Sequence, residues 1–265
     1  MTIGVAVIGA GMAGRAHAAA YRAATSLYDS NLPPVKLISI GDVMPQFGQA
    51  AADRFGYERT DADWRRIADD PNIHAVSVVV ANHLHREIVE GLLAAGKHVL
   101  CEKPLSDTLD DARSMVAAAD GATSIARIGL TFLRNPAIAA IQKIVASGQL
   151  GKVLHFSGNY WADYSSDPMS PISWRYKGGM GTGALADVGS HISYVAEFIT
   201  GQPFSSVSGA RFVTSITERP VPSGAVQGHS AAAASDKFEA VENDDYAGFI
   251  AEFGNVAGAI QVSRV

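Results

Sequence analysis

The chain contains 265 residues, of which 48% are hydrophobic and 18% charged, and its formal net charge is -5. These values are typical of a soluble globular protein with one large or two moderate domains. The scattered Lys and Arg residues argue against a nucleic-acid or anionic-membrane partner. A single cysteine, Cys101, excludes an internal disulfide and a Cys-rich metal site. With no basic leader and no apolar stretch of membrane-spanning length in the sequence, we expect a cytoplasmic protein.

The first half of the chain alternates short apolar runs with alanine-rich or amphipathic segments. A short apolar run predicts a buried parallel strand, and a periodic segment stopped by glycine predicts a helix. We predict strands at 3–8, 35–40, 75–80 and 98–101, and helices at 12–24, 46–55, 63–68 and 84–95. This alternation predicts an α/β fold with a doubly wound, parallel Rossmann sheet.

The pattern changes after about residue 121. We predict a last strand of the first sheet at 125–131, a helix at 136–147, and strands of a second sheet at 153–161 and 204–216. Segments 249–253 and 256–262 flank Gly254-Asn255, which is typical of a hairpin turn. Residues 219–237 are rich in Pro, Gly, Ser and Ala and are expected to form a mobile loop. The sequence therefore predicts two domains, 1–130 and 131–265.

A glycine run lies between the first predicted strand and the first predicted helix. Gly9, Gly11 and Gly14 stand in the G-x-G-x-x-G spacing, with Met12 and Ala13 between the last two. In a dinucleotide site the first glycine permits a tight turn, the second admits the pyrophosphate, and the third lets helix and strand pack closely. The alternative is a purely structural turn, but the flanking strand and helix favour a cofactor site.

Asp42 follows the second predicted strand, where the dinucleotide fingerprint has an acidic residue. A carboxylate at this point accepts hydrogen bonds from the ribose hydroxyls of the adenosine half and repels a 2′-phosphate. Asp42 therefore favours NAD over NADP, although a turn aspartate is the alternative interpretation.

Three further clusters contain residues suited to catalysis. Lys103 ends the fourth predicted strand, at the sheet edge where open parallel sheets bind ligands, and could donate to a substrate oxygen. Asp187 and His191 are four residues apart, so on a helix they share one face and the carboxylate could orient a general base. The third cluster, residues 81–85, follows the third strand. The alternatives are a surface lysine, a capping aspartate with an incidental histidine, and surface polar residues.

Together these segments resemble the Gfo/Idh/MocA family, which includes glucose–fructose oxidoreductase, inositol dehydrogenase and rhizopine-catabolism proteins. The matching segments span most of the chain in order, and the order of the last ones is most like the sugar and inositol dehydrogenase branch. They are the glycine run, Asn82-His83-Leu84-His85, 96–104 with Glu102-Lys103-Pro104, Arg134-Asn135-Pro136, 147–153, Trp174-Arg175 and Asp187-Val188-Gly189-Ser190-His191.

The resemblance implies a hydride-transfer mechanism. Lys103 would bond the reacting hydroxyl, His191 would take its proton, and Asp187 would hold His191 or a neighbouring substrate hydroxyl. The ordinary lysine pKa of about 10.4 makes Lys103 the charged donor and histidine the better base. Asn82, His85 and Glu102 match family positions near the nicotinamide ribose; a helix N-cap, a surface histidine and a strand-end salt bridge are the alternatives.

The substrate implied by the resemblance is a sugar, anhydrosugar or cyclic polyol. We expect Trp174 and Arg175 to contact it, and Tyr160 and Trp161 with less support. An aromatic face suits the C–H side of a sugar, although any one of these rings could equally belong to the core. No metal is expected, because the histidines lack ligand spacings with cysteines or clustered carboxylates.

The chain departs from the family pattern in three places. Phe132-Leu133-Arg134 stands where many members read Tyr-Arg-Arg, so one phenol hydroxyl and one guanidinium are absent and we expect the polyol pocket to differ from that of its relatives. Ala81 replaces a common proline. The family's second domain carries a large, mostly antiparallel open sheet that usually continues well past the strand ending at Val265. We therefore expect a fragment of a longer protein, and an oligomer formed through that sheet.

Two other functions fit the same resemblance. An NAD-dependent glycosidase would use transient oxidation to assist elimination, and would cleave a glycoside without net NADH formation. The second alternative is a regulator that is controlled by nucleotide binding and catalyses no reaction. Retention of Lys103, Asp187 and His191 argues against the regulator, because a sensor needs no acid–base set.

Overall fold

The structure is a computed structural model that describes residues 2–27, 29, 31–224 and 234–265. The chain forms two compact units, Met1–Gly129 and Leu130–Val265. Within the described ranges, no helix combines the length and apolar character that crossing a bilayer requires.

Unit 1 contains a five-stranded parallel sheet in the order β2-β1-β3-β4-β5. The apolar runs at 3–8 and 75–78, in the centre of the sheet, are largely buried on both faces, as is typical of parallel strands between helices. The strands are β1 (Ile3–Ile8), β2 (Val35–Gly41), β3 (Ala75–Val78), β4 (His98–Cys101) and β5 (Ala126–Ile128). The helices are α1 (Met12–Ala23), α2 (Pro45–Phe55), α3 (Trp64–Asp69), α4 (His85–Ala94) and α5 (Leu109–Gly121), with a 3-10 turn at Asn82–Leu84. The predicted Rossmann sheet is confirmed.

Helix α5 lies in a segment for which we predicted no helix. The Thr108 side chain caps it by accepting a hydrogen bond from the Asp111 amide, and Asp110 and Asp111 occupy the first turn. A hydroxyl cap followed by acidic residues is a recognised signal for a helix start. The signal was therefore present in the sequence, although the weak apolar periodicity of the segment hid it.

Unit 2 contains a four-stranded mixed sheet in the order β6-β11-β10-β7. β6 runs parallel to β11, and the other neighbours are antiparallel. The predicted hairpin is present, since Phe253 pairs with Val256 across Gly254, whose φ of 57° suits a tight turn. The elements are a 3-10 turn at Thr131–Arg134, α6 (Pro136–Ala146), β6 (His155–Trp161), a 3-10 turn at Trp174–Tyr176, a π-helical turn at Leu185–Gly189, α7 (Ser190–Thr200), β7 (Phe204–Val213), β10 (Tyr246–Phe253) and β11 (Val256–Ser263).

The two faces of this sheet differ in burial. Along β11, Val256, Gly258, Ile260 and Val262 are buried against a core that includes Val188 and Ala196. The side chains between them point to the opposite face, because successive residues of a strand alternate. We call these the inner face and the outer face. The inner face is therefore the one that carries the π-helical turn and α7.

The predicted mobile loop at 219–237 is wrong for its described part. Glu218–Pro222 (β8) pairs antiparallel with Ala234–Ala240 (β9) in a separate two-stranded sheet, and residues 225–233 lie outside the described residues. The buried Arg219 guanidinium donates to the Ser165 and Asp167 carbonyls and so anchors β8. Proline is compatible with such an edge strand, so the composition misled the prediction.

Candidate functional site

The glycine run forms a tight turn between β1 and α1. Gly9 has a φ of 105°, and a Cβ atom there would collide with the Val79 carbonyl oxygen. A Cβ on Gly14 would collide with the Gly9 carbonyl oxygen, so this glycine lets the helix approach the strand. A Cβ on Gly11 would instead project into open space. Two of the three glycines therefore hold the turn, and the third leaves room above it.

The turn fits the pyrophosphate of a dinucleotide. Gly11 is the N-cap of α1, with extended backbone and no side-chain cap in the described structure. The amides of the first helical turn, beginning with Met12 and Ala13, therefore point towards the space that Gly11 leaves open. Uncapped amides and the helix dipole together favour an anion at this point. Gly11, Met12 and Ala13 are thus the residues that would hold the NAD phosphates.

Asp42 joins the end of β2 to the glycine run. Its Oδ2 accepts the Ala10 amide at 2.8 Å, and its Oδ1 accepts the Met44 amide at 2.9 Å. The side chain is half-buried at the sheet edge. A carboxylate has about four lone-pair sites, so these two bonds leave acceptor capacity for ribose hydroxyls.

Glu102 belongs to a hydrogen-bonded network that sequence analysis missed. His17 on α1 places Nε2 3.0 Å from Oε1 of Glu102 and Nδ1 3.0 Å from the Ser77 hydroxyl, which also bonds Tyr21. The other carboxylate oxygen accepts the Lys103 amide at 3.1 Å. Burial opposes ionisation of Glu102, but the bonds from His17 and Lys103 outweigh it and hold its pKa below the ordinary value.

His85 differs from the prediction of a nicotinamide-ribose contact. Its side chain is fully buried, so it offers no surface to a ligand in this conformation. Nδ1 lies 3.1 Å from the Pro104 carbonyl oxygen, and Nε2 lies 3.1 Å from that of Val80. Burial lowers the pKa of His85 despite the carbonyls that favour the charged form. His85 therefore supports the segment after Lys103 as a neutral internal residue.

Asn82 and Lys103 lie at the carboxyl edge of the unit 1 sheet. Asn82 begins the 3-10 turn after β3 and is half-buried, so it is accessible there in a way that His85 is not. Lys103 follows β4 and is also half-buried, with its amide fixed by Glu102. The edge of an open parallel sheet is where ligands bind, as the strand order predicts.

Asp187 and His191 lie on consecutive helical segments of unit 2. Asp187 is in the π-helical turn, a feature common at functional sites, and His191 is in the first turn of α7. Oδ2 of Asp187 accepts the Tyr164 hydroxyl at 2.6 Å. Burial and the Asp187 charge raise the pKa of Tyr164 well above its ordinary value, which keeps this hydroxyl a donor.

The His191 ring is held by two side chains that sequence analysis did not select. Nδ1 lies 2.5 Å from the Tyr194 hydroxyl, one helical turn further along α7. The Phe132 ring stacks on the imidazole at a centroid distance of 4.3 Å. Tyr194 could have been found from its i,i+3 spacing to His191, whereas Phe132 lies far away in sequence.

A buried polar tripeptide, Asn243-Asp244-Asp245, anchors the segments around Asp187. Asp244 accepts the Gly181, Gly183 and Leu185 amides at 2.7, 3.3 and 2.8 Å, and so fixes the glycine-rich loop and the start of the π-helical turn. Asn243 donates to the Arg175 carbonyl at 2.9 Å. All three side chains are fully buried. No local pattern predicts this arrangement, because its partners lie about sixty residues away.

The four predicted substrate residues separate into different places. Tyr160 lies on the inner face, with its ring centroid 6.1 Å from that of His191. Trp174 is exposed, and the Arg175 guanidinium lies 4.5 Å from its ring centroid. Trp161 lies on the outer face, stacked on Tyr246, because strand residues alternate. Trp161 thus points away from the inner face, and its contact with the substrate stays a prediction that this position does not favour.

The described residues contain no group of three or more His, Cys, Asp or Glu side chains placed to hold a metal ion.

Comparison with known proteins accounts for both units. Residues 3–130 match a family model described as an oxidoreductase family with an NAD-binding Rossmann fold, and residues 138–265 match the GFO/IDH/MocA C-terminal domain. A levoglucosan dehydrogenase from Pseudarthrobacter phenanthrenivorans is 39% identical over 224 residues, which cover 84% of this chain and 57% of that protein. The scyllo-inositol 2-dehydrogenase (NAD(+)) of Bacillus subtilis is 26% identical, covering 77% of this chain and 56% of its own.

The fold similarity extends over the whole chain. A structure of levoglucosan dehydrogenase in complex with NADH and levoglucosan has a TM-score of 0.88 and 33% identity, covering 100% of this chain and 67% of that one. The chain thus spans somewhat more than half the length of the two curated relatives. The predicted fold and family are confirmed: the chain belongs to the Gfo/Idh/MocA oxidoreductase family.

Proposed function

We propose that this protein is an NAD-dependent oxidoreductase that removes a hydride from a secondary hydroxyl-bearing carbon of a sugar, anhydrosugar or cyclic polyol. The observation that carries the proposal is the presence, in one chain, of an open glycine turn suited to a dinucleotide and a side-chain set suited to proton removal. The set consists of Lys103, Asp187 and His191. The relatives named above act on levoglucosan and scyllo-inositol, which fall within the same substrate class.

NAD, when bound, supplies the acceptor for the hydride. Gly11, Met12 and Ala13 would hold its phosphates and Asp42 its adenosine ribose, while Asn82 and Glu102 lie at the sheet edge suited to the nicotinamide ribose. The Asp42 charge repels a 2′-phosphate, so NADP is the poorer cofactor.

The remaining residues serve the substrate. The Lys103 ammonium donates to the reacting hydroxyl oxygen and stabilises the developing negative charge, while His191 takes the hydroxyl proton. The C–H bond breaks as the carbonyl forms. Asp187, fixed by Tyr164, accepts a neighbouring substrate hydroxyl. Trp174 and Tyr160 offer aromatic faces, and Arg175 a guanidinium, to the rest of the ring.

The test is the formation of reduced nicotinamide with a panel of monosaccharides, anhydrosugars and inositols, with NAD and NADP compared in parallel. We expect turnover with at least one member of the panel and a preference for NAD. Cleavage of a glycoside without net NADH would indicate the glycosidase reaction instead. Binding of NAD with no turnover on any substrate would indicate a regulator.

We further propose that the protein is a cytoplasmic homo-oligomer that binds neither nucleic acid nor membrane. The outer face of the unit 2 sheet carries the exposed Trp161 and Ile250 beside the small residues Ala257 and Ala259. Large exposed apolar side chains grouped on one sheet face are typical of a protein interface. Sedimentation analysis of the protein and of Ile250→Lys tests the proposed oligomer, because the charged variant should dissociate to a smaller species.

A further inference from the structure

We propose that Tyr176, together with the two guanidinium groups that lie over its ring, positions the substrate-binding turn at Trp174–Tyr176. The inference rests on the function proposed above, in which Trp174 and Arg175 contact the sugar or polyol. Tyr176 is the last residue of this 3-10 turn, and its side chain is buried whereas that of Trp174 is exposed. The turn therefore presents one aromatic ring to solvent and buries another within unit 2.

The ring of Tyr176 is in contact with two buried cations. The guanidinium carbon of Arg219 lies 4.3 Å from the ring centroid, and that of Arg264 lies 4.8 Å from it. Both arginine side chains are fully buried, and a cation is attracted most strongly to an aromatic face where water is excluded. The hydroxyl of Tyr176 lies 2.9 Å from the buried Ser165 hydroxyl. The ring is thus held at its face and at its tip.

Arg219 depends on this ring more than Arg264 does. Arg264 pairs with the buried Asp245 carboxylate at 2.9 Å. Arg219 donates to three backbone carbonyl oxygens of the segment 165–170. Among the residues that the structure describes, no carboxylate pairs with Arg219, and its Nε atom has no partner. A buried charge without a counterion is costly, so the electron-rich face of Tyr176 is an important part of its surroundings.

The backbone of the turn is held by the same part of unit 2. The Arg175 carbonyl accepts Nδ2 of Asn243 at 2.9 Å and the Arg264 guanidinium at 3.0 Å, which occupies both lone pairs of its oxygen. The Tyr176 carbonyl accepts the Glu242 amide at 2.8 Å. The turn is therefore fixed through its side chain and its backbone together, and it cannot shift without breaking these contacts.

The exposed side of the turn lies near the part of unit 2 that contains Asp187. Burial and the Asp187 charge raise the pKa of Tyr164, and the Arg175 charge is close enough to oppose this rise. The Arg175 guanidinium also lies 4.5 Å from the Trp174 ring centroid. A substrate hydroxyl at Asp187 would thus have a guanidinium and an aromatic face nearby, both carried by the turn that Tyr176 holds.

The structural test uses ¹⁹F resonances of the protein labelled with 5-fluorotryptophan. The chain contains three tryptophans, and the Trp174 resonance is assigned by its loss in Trp174→Phe. In the wild type we expect this resonance to be well separated from its position in the unfolded protein. Tyr176→Leu removes the ring, and Arg219→Lys removes the planar guanidinium. Both should broaden the Trp174 resonance or move it towards the unfolded position, while the resonance of Trp64 in unit 1 stays unchanged.

Tyr176→Phe is the matched variant, because it keeps the ring and removes only the hydroxyl. We expect its Trp174 resonance to remain at the wild-type position, as in Arg211→Met, which removes an exposed guanidinium from β7. An unchanged Trp174 resonance in Arg219→Lys would overturn the proposal, even if Tyr176→Leu failed to fold. A displaced resonance in Tyr176→Phe would also overturn it, because the hydroxyl and not the ring would then hold the turn.

The kinetic test separates substrate binding from the chemical step. In Tyr176→Leu and Arg219→Lys we expect KM for the sugar or polyol to rise about tenfold, which corresponds to the loss of one aromatic contact. We expect kcat to fall by less than about threefold and KM for NAD to stay unchanged, because the turn contributes binding and not proton transfer. Tyr176→Phe should keep the wild-type values. A lower kcat with an unchanged KM for the substrate would refute the positioning role. Absence of any turnover in the wild type would refute the proposed function instead, and the ¹⁹F resonances would still test Tyr176.

Discussion

The Nε2 atom of His17 lies 3.0 Å from the Oε1 atom of Glu102, although the two residues are 85 positions apart in the chain. Their side chains are only 14% and 16% exposed, so water cannot fully replace the bond if one partner is removed. Glu102 in turn fixes the amide of Lys103. The first helix after the glycine run is thereby connected to the residue to which we assign the reacting hydroxyl.

His17→Ala should therefore reduce stability. The change removes the bonds of His17 to Oε1 of Glu102 and to the Ser77 hydroxyl in a largely buried place. Glu102 keeps its bond from the Lys103 amide and Ser77 its bond with Tyr21, and we expect the two lost bonds to cost about 1–3 kcal/mol. Urea unfolding measures the loss, and His83→Ala, which removes an exposed imidazole, is the matched control. A free energy of unfolding equal to that of the control would show that the network contributes nothing.

The Glu102 network should also make stability depend on pH. The pKa of Glu102 is lower in the folded protein than in the unfolded chain, where it is about 4.3. The stabilisation is then present above about pH 4.3 and is lost as the pH falls through the lower, folded pKa. Urea unfolding of the wild type and Glu102→Gln over this acidic range should show a shallower pH dependence in the variant. Parallel curves would contradict the expectation.

Asp244→Asn should weaken the support of the glycine-rich loop and the π-helical turn that contains Asp187. The amide replaces one of the two acceptor oxygens, and so at least one buried N–H among Gly181, Gly183 and Leu185 loses its partner. We expect a loss of about 1–3 kcal/mol in the free energy of unfolding and a lower kcat. Glu252→Gln, at an exposed position on β10, is the control and should change neither quantity. Wild-type stability in Asp244→Asn would contradict this role.

The two glycines at the start of α1 should respond differently to alanine. Gly14→Ala places its methyl group against the Gly9 carbonyl, so the turn must move and stability should fall. In Gly11→Ala the methyl group enters open space, and thermal melting should change little. Titration calorimetry should nevertheless show at least about a tenfold weaker affinity of Gly11→Ala for NAD, because the methyl group occupies the pyrophosphate space. Unchanged NAD affinity would place the cofactor elsewhere.

Asp42→Asn separates the charge of the residue from its hydrogen bonding. The amide oxygen can still accept from Ala10 or Met44, while the repulsion of a 2′-phosphate disappears. We expect the ratio of NADP to NAD affinity to rise by about tenfold or more, measured by calorimetry with each cofactor. A constant ratio would show that another residue excludes NADP.

Local sequence patterns predicted most of the Rossmann unit, because a glycine run, an apolar strand and a glycine-stopped helix are each encoded by adjacent residues. The features that local patterns did not reveal have a common physical origin in contacts between distant parts of the chain. The ring nitrogens of the buried His85 contact three backbone carbonyl oxygens, and no spacing of residues in the sequence predicts these contacts. The register of β6 turns Trp161 to the outer face. Arg219 anchors a proline-rich segment that composition alone describes as a loop.

The candidate site shows the same division. Lys103, Asp187 and His191 were selected from short motifs, whereas their supports were not. Asp244 holds amides about sixty residues away, and His17 meets Glu102 only after the sheet has formed. Tyr194 was not selected either, but it could have been, because residues three apart on a helix lie on the same face.

The most direct test of the proposed function is a single-turnover measurement of hydride transfer in Lys103→Met, with a substrate identified from the sugar and polyol panel. Methionine keeps an unbranched side chain that is one atom shorter and removes the donor, so NAD binding measured by calorimetry should be retained. We expect hydride transfer to fall by at least about 10²-fold, the usual contribution of a positioned electrostatic donor. Wild-type rates of hydride transfer in Lys103→Met would contradict the assignment of this lysine to the reacting hydroxyl.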